Sequence, residues 1–243
     1  MPPTRHRQIA RFSLHRPEGL RTLLKPLAAG LVVVLLLLGF ALIAGEVIEG
    51  DTRGIDLRLL HKALQIREAY PWFAPVMRDL SGLGSTVALT LFTVATAGYL
   101  LLMSARITAL LVVASTVSCA ALIDLLKLSF NRLRPDAAFA DYVASGMSFP
   151  SGHASMSAAV FLTLGVLTAT TRGRLSERFY ILAVAAVMVL LIGASRVALG
   201  VHWATDVLAG WAVGAAWAMA WLLLAFRLVH AEIGGSARPG NGA

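Results

Sequence analysis

Residues 27–46 read LAAGLVVVLLLLGFALIAGE, an apolar run preceded by Lys25-Pro26 and closed by Glu46. A helix of about 20 residues rises roughly 30 Å, the thickness of a bilayer's hydrocarbon core, and this run offers no polar face to water. Five more such runs follow, at approximately 83–103, 107–126, 154–171, 179–198 and 205–226. Apolar side chains make up 58% of the chain and charged ones 14%, a balance that excludes an ordinary soluble domain. The expected fold is therefore all-α, a polytopic membrane helix bundle with six transmembrane helices. Arg5, Arg7, Arg11, Arg16, Arg21 and Lys25 precede the first run, as in a signal peptide. Cleavage after Ala44 would put Leu42 where a small side chain is required, so an uncleaved anchor is expected.

Three parts follow from this reading: 1–26 as a basic cytoplasmic segment, 27–228 as the six-helix membrane domain, and 229–243 as a glycine-rich, disordered cytoplasmic tail. The net charge of +8 does not imply nucleic acid, because the cations divide by side of the membrane instead of gathering on one soluble face. With the N-terminus inside, the cytoplasmic segments hold the six N-terminal cations plus Arg106, Arg172, Arg174, Arg178, Arg227 and Arg238, against Glu18, Glu177 and Glu232. The outer segments carry Glu46, Glu49, Asp51, Asp56, Glu68 and Asp79. That asymmetry places both termini in the cytoplasm. The scarcity of lysine, at Lys25, Lys62 and Lys127 only, leans towards a bacterial source and an inner-membrane location.

The outer loop at about 47–82 is long, and its middle reads as an interfacial helix. Ile55, Leu59, Ala63 and Ile66 share one side, Arg58, His61, Lys62 and Gln65 the other, and Pro71 ends it. A lid over a site is the alternative. Cys119, the single cysteine, is expected to pack inside the third span. Gly210 and Gly214 form a small-xxx-small pair expected to serve packing within the bundle ahead of a dimer seam, with the oligomeric state open. Trp203 and Trp221 fall near opposite interfaces.

Polar residues inside such a chain are costly and therefore candidates for function. They form three blocks: Lys127 with Arg134-Pro135; Pro150-Ser151-Gly152-His153; and Ser195-Arg196 with His202 and Asp206. Loop charge and span count alone put all three on the outer face. Arg134 and Arg196 can each fork onto two phosphate oxygens, and Lys127 adds a point charge. Ser151 and Gly152, just ahead of the fourth span, offer a hydroxyl and backbone amides to the same anion. His202 and Asp206 are four apart, one turn on a helix, so the carboxylate can hold one ring nitrogen and leave the other to attack phosphorus. His153 would stand opposite, protonate the departing oxygen and later activate water.

Neighbouring groups admit other roles. His153, His202 and Asp206 could ligate a metal, but the surrounding cations already neutralise a phosphate and would repel a divalent ion, so no metal or other cofactor is expected. Arg132 is either a contact behind the site or a solvated loop residue, and Asp124 either orients Lys127 or faces a wet cavity. Ser195 is as apt to bond backbone as phosphate. Asp136, Asp141 and His61 read as loop surface.

In this order the residues resemble the type 2 phosphatidic acid phosphatase family, also called lipid phosphate phosphatases. Its pattern is a lysine, six intervening residues and Arg-Pro, then Pro-Ser-Gly-His, then Ser-Arg followed by His and Asp. Lys127, Arg134, Pro135, Pro150, Ser151, Gly152, His153, Ser195, Arg196, His202 and Asp206 match every position. The resemblance implies a metal-independent phosphohydrolase in which His202 is the nucleophile, His153 the acid, and the cations the phosphate pocket. The expected partners are a lipid phosphate or diphosphate substrate and membrane lipids. Phosphatidic acid, phosphatidylglycerol phosphate and undecaprenyl diphosphate all suit such a site. A lipid A phosphatase, a lipid phosphotransferase, and an idle lipid-binding or transport protein are the alternatives.

Overall fold

The structure, a computed structural model, describes residues 18–236. Among them the only regular structure is helical: α1 Glu18–Glu49, α2 Arg53–Ala69, α3 Phe73–Gly82, α4 Thr86–Leu102, α5 Arg106–Phe130, a single 3-10 turn Ala137–Phe139, α6 Gly152–Thr170, α7 Leu175–Ala198 and α8 Ala204–Ser236. Six segments are long and apolar enough to cross a membrane: Pro26–Glu49, Phe73–Leu102, Arg106–Phe130, Gly152–Thr170, Leu175–Ala198 and Ala204–Leu228. The basic residues of 1–17 and the tail end, 237–243, lie outside the described part. α8 continues into the segment that the sequence assigns to a disordered tail.

α6 and α8 form the centre of the bundle, packed on each other and on α7, while α1 lies along one flank of α8. Small residues make the central contact close. A methyl group at Gly214 would sit 2.2 Å from the Ser155 carbonyl oxygen, and one at Gly210 would sit 2.9 Å from that of Ser151. The glycine pair thus serves α6–α8 packing inside the bundle. Cys119 is buried with Ile123, Ala159 and Val213, as expected of a packing cysteine. Phe149 is fully buried just ahead of α6, with Phe130 and Phe40 at ring-centroid distances of 4.8 and 5.8 Å. Indole N–H groups are satisfied across helices, Trp211 on the Val189 carbonyl and Trp217 on that of Ser115, both at 3.1 Å. No water competes for such donors at membrane depth.

The second span differs from its sequence boundaries. Residues 73–82, assigned from sequence to the outer loop, form α3, which packs on α7 and leads through a break at 83–85 into α4. Ser85 caps α4 by accepting the Ala88 amide at 3.2 Å. Local charge suggested solvent, but Ser81 on α3 is buried against the bundle and decides its placement. α2 occurs where expected, yet its inward strip differs: Asp56 and Leu60, assigned to neither side from sequence, turn inward with Ala63, while Ile55 and Leu59 stay exposed.

Candidate active site

Short structural devices bring the three polar blocks to one end of the bundle. α5 stops at Asn131, whose left-handed backbone (φ 47°) lets its amide close on the Lys127 carbonyl and turns the chain towards Arg132 and Arg134. The α7–α8 turn passes through Gly200 (φ +70°), where a Cβ would collide with the Phe139 carbonyl. Only glycine permits both that backbone and that approach.

Lys127, Arg134, Gly152, His153, Arg196 and His202 line one cavity of about 470 Å³. Asp206 stands directly behind His202, wholly buried. Ser151 is also wholly buried, one residue behind the cavity wall, and its Oγ has no partner within the protein. The eight residues singled out from sequence therefore converge, six on the wall and two at its back. Asp124 shares the wall with Lys127.

The hydrogen bonds of His202 fix its tautomer. Arg134 Nη1 lies 3.1 Å from His202 Nε2, and a guanidinium can only donate, so Nε2 presents its lone pair. Nδ1 then carries the hydrogen and donates to Asp206 Oδ2 at 3.2 Å. The same oxygen accepts from Ser148 Oγ at 2.5 Å and from the Trp203 amide at 3.0 Å. Here the sequence reading needs correction. His202 lies in the bend ahead of α8, not on a helix face with Asp206. The carboxylate, in the first turn of α8, reaches back over the helix start and caps it while it holds the imidazole. Burial pushes the His202 pKa down to about 4, against the opposing pull of Asp206, so the ring is neutral near pH 7.

Arg134 is anchored by its other donors, to the carbonyls of Gly146 at 3.0 Å and Val201 at 2.7 Å. Burial, and then the nearby Arg196, lower its pKa, although a guanidinium keeps its charge. Arg196 is held by Ser81 Oγ of α3 and by Tyr142 Oη at 2.6 Å, and its buried Nε has no partner within the protein. Ser195 bonds the Ile192 carbonyl at 2.6 Å, a backbone role. Among the described residues no group of three or more His, Cys, Asp or Glu side chains is placed to hold a metal ion.

The PAP2 superfamily pattern matches residues 108–230, a stretch that contains all three blocks. The chain belongs to the PAP2 superfamily. It is 33% identical over 184 residues to phosphatidylglycerophosphatase B of Bacillus subtilis, covering 74% of this chain and 88% of that one. It also superimposes on a crystal structure described as the first transmembrane PAP2 type phosphatidylglycerolphosphate phosphatase from Bacillus subtilis. That match has a TM-score of 0.72 at 30% identity, over 81% of this chain and 96% of the other. The protein is thus a multi-pass membrane lipid phosphatase of the PAP2 type.

Several residues of this PAP2 site were not found from sequence. Ser148, Ser81, Tyr142 and Asp56 have no motif position, and their partners lie far away in the chain. Arg132 is no solvated loop residue, since it pairs with both Asp56 and Asp206. Asp141 does more than face solvent. Its ion pair with Arg78, at 2.6 Å, ties the 137–146 loop to α3, and the hydrogen bond from Arg78 lowers its pKa.

Proposed function

We propose that the protein hydrolyses a lipid phosphomonoester, phosphatidylglycerol phosphate before the other candidates, through a phosphohistidine on His202. The observation that carries the mechanism is the tautomer lock, which aims the Nε2 lone pair at the place where cations gather. The phosphoryl group enters that place, and Arg134, Lys127 and Arg196 shift onto its oxygens. Nε2 attacks phosphorus as the P–O bond to the lipid breaks, and His153 gives its proton to the departing oxygen. Water then attacks the phosphohistidine and yields its proton to His153. The P–N bond breaks and inorganic phosphate leaves. The residues need no metal for charge neutralisation, and Ser151 Oγ and Arg196 Nε keep hydrogen-bonding capacity for the anion.

A lipid substrate is favoured by the shape of the cavity, which continues from the cations along α4 and α5 past Leu89, Thr90, Val117 and Thr116. Thr116 is about three helical turns, roughly 16 Å, below Lys127, deep enough to take an acyl chain while the headgroup meets the histidines. The headgroup preference rests on the similarity of the chain to Bacillus subtilis phosphatidylglycerol phosphate phosphatase, in sequence and in fold. The charge asymmetry of the loops supports an outward-facing site, cytoplasmic termini and α2 lying at the outer interface. The proposed division keeps a basic segment at 1–26 and a membrane domain at 27–228, with α8 running on to Ser236 past the second boundary.

The test is phosphate release by detergent-purified protein from phosphatidylglycerol phosphate, phosphatidic acid and undecaprenyl diphosphate, with chelator in excess. The expected result is the highest kcat/KM on the first and no loss with chelator. Strict dependence on added magnesium, or preference for the diphosphate, overturns the corresponding part.

A further inference from the structure

Asp56 belongs to α2, which takes no part in the reaction just described, yet its carboxylate is wholly buried. A buried charge persists only when it is paired and its lone pairs are filled. Here Oδ1 accepts the Thr205 amide at 3.0 Å, and Oδ2 accepts Thr205 Oγ1 and Arg132 Nη2, both at 2.7 Å. Arg132 turns its other terminal nitrogen, Nη1, to Asp206 Oδ1 at 2.6 Å and to Thr205 Oγ1 at 2.8 Å. Its guanidinium also lies over the Trp203 ring, 5.3 Å from the centroid. Asp206 in turn holds His202 Nδ1. An unbroken chain of charge-assisted hydrogen bonds thus joins α2 to the nucleophile.

The planarity of the guanidinium gives this chain its consequence. With Nη2 fixed by Asp56, the fork meets Asp206 through Nη1 on Oδ1 alone, which leaves Oδ2 to the imidazole. Without Asp56 the fork is free to swing and take both Asp206 oxygens, competing with His202 for Oδ2. Asp56 also offsets the charge of Arg132, so that Asp206 keeps its negative charge for the imidazolium-like ring that forms when Nε2 bonds to phosphorus. We propose that Asp56 is a positioning residue, which through Arg132 sets the Asp206 carboxylate that orients His202 and thereby makes α2 part of the catalytic apparatus. This rests on His202 being the nucleophile.

The test uses the full chain in detergent, with Asp56→Asn, Arg132→Gln, the double variant and His202→Ala, assayed well below the melting temperature of each. Asp56→Asn is expected to lower kcat on the order of ten-fold with KM within about two-fold, the scale of losing a partner behind a reacting group. The double variant should be no slower than Arg132→Gln alone, because Asp56 acts through that side chain. The rate of phosphohistidine formation, trapped by rapid quench, should fall with kcat. Wild-type kcat in Asp56→Asn, a change confined to KM, or losses that multiply in the double variant each overturn the proposal. If Asp56→Asn does not accumulate, Thr205→Val removes two contacts of the same network without touching charge. Its kcat should drop about three-fold for the loss of hydroxyl bonds in such a network, and an unchanged kcat overturns the proposal. Phosphate release by His202→Ala would remove the nucleophile reading itself. An inactive His202→Ala beside an undiminished Asp56→Asn removes only the role of Asp56.

Discussion

His202 carries its chemistry in one lone pair, and that lone pair is guarded before substrate arrives by Arg134, 3.1 Å away. In the proposed mechanism loss of the ring removes the acceptor of the phosphoryl group, so His202→Ala should abolish turnover. His153→Ala should spare substrates with good leaving groups, which need no proton, more than lipid alkoxides; equal losses on both would contradict its role as acid. Asp206→Asn can present its amide to Nδ1 and favour the wrong tautomer, a change expected to cost roughly 10³-fold or more in kcat by analogy with a histidine whose orienting carboxylate is amidated. The titration of His202 gives a further check. An unfolded imidazole binds its proton below about 6.5, whereas the buried ring does so only near about 4. Between those values the unfolded state holds more protons, so the contribution of this group to stability is complete above 6.5 and is lost as pH falls towards 4. The melting temperature of wild type should therefore drop relative to His202→Gln across that window, and parallel curves would show an unshifted ring. The motif residues were legible because each block is local in sequence. Ser81, Ser148 and Asp56 were not, since a buried hydroxyl or carboxylate is identified by its partner, and Ser81 and Arg196 are 115 positions apart.

Among the elements, the starts of α6 and α8 were drawn closely from hydropathy, because an apolar run bounded by polar blocks has little freedom in where it starts. α3 was not, because Arg78 and Asp79 mimic a loop unless their partners are known, and Arg78 is matched by Asp141 from another loop. α2 shows the same limit in another form. Its two-sided pattern predicted a helix, but the strip that decides its position contains a charged residue, which no amphipathic count assigns to the inside. The α6–α8 contact is the most sensitive element-scale feature. Gly214→Val would drive its side chain into the Ser155 backbone, which cannot yield as a flexible side chain does. A cost of about 1–3 kcal/mol or more is expected, with the N-terminal halves of α6 and α8 forced apart. The measurement is unfolding in detergent together with kcat, and both should fall, since Ser151 and His153 begin one helix and Asp206 begins the other. Unchanged stability would mean that the helices do not meet there.

For the whole molecule, the proposal that the site faces outward rests on charge. Arg106, Arg172, Arg174 and Arg178 lie in the turns and first helical turns at the end opposite the histidines, while Glu46, Glu49, Asp51 and Glu68 lie at the end where the site opens. Moving that many arginines across a bilayer during insertion is disfavoured, and cations within short loops set orientation more strongly than acids do. Cysteine chemistry can read the outcome, because the one native thiol, Cys119, is buried and can be replaced in a Cys119→Ala background. Asp51→Cys, in the turn after α1, and Gly173→Cys, in the turn after α6, then report on opposite ends of the bundle. A membrane-impermeant maleimide applied to intact cells should label the first and spare the second until the membrane is opened. The reverse pattern would put the phosphate pocket in the cytoplasm and require a substrate presented from the inner leaflet, overturning the outward assignment while leaving the chemistry of His202 intact.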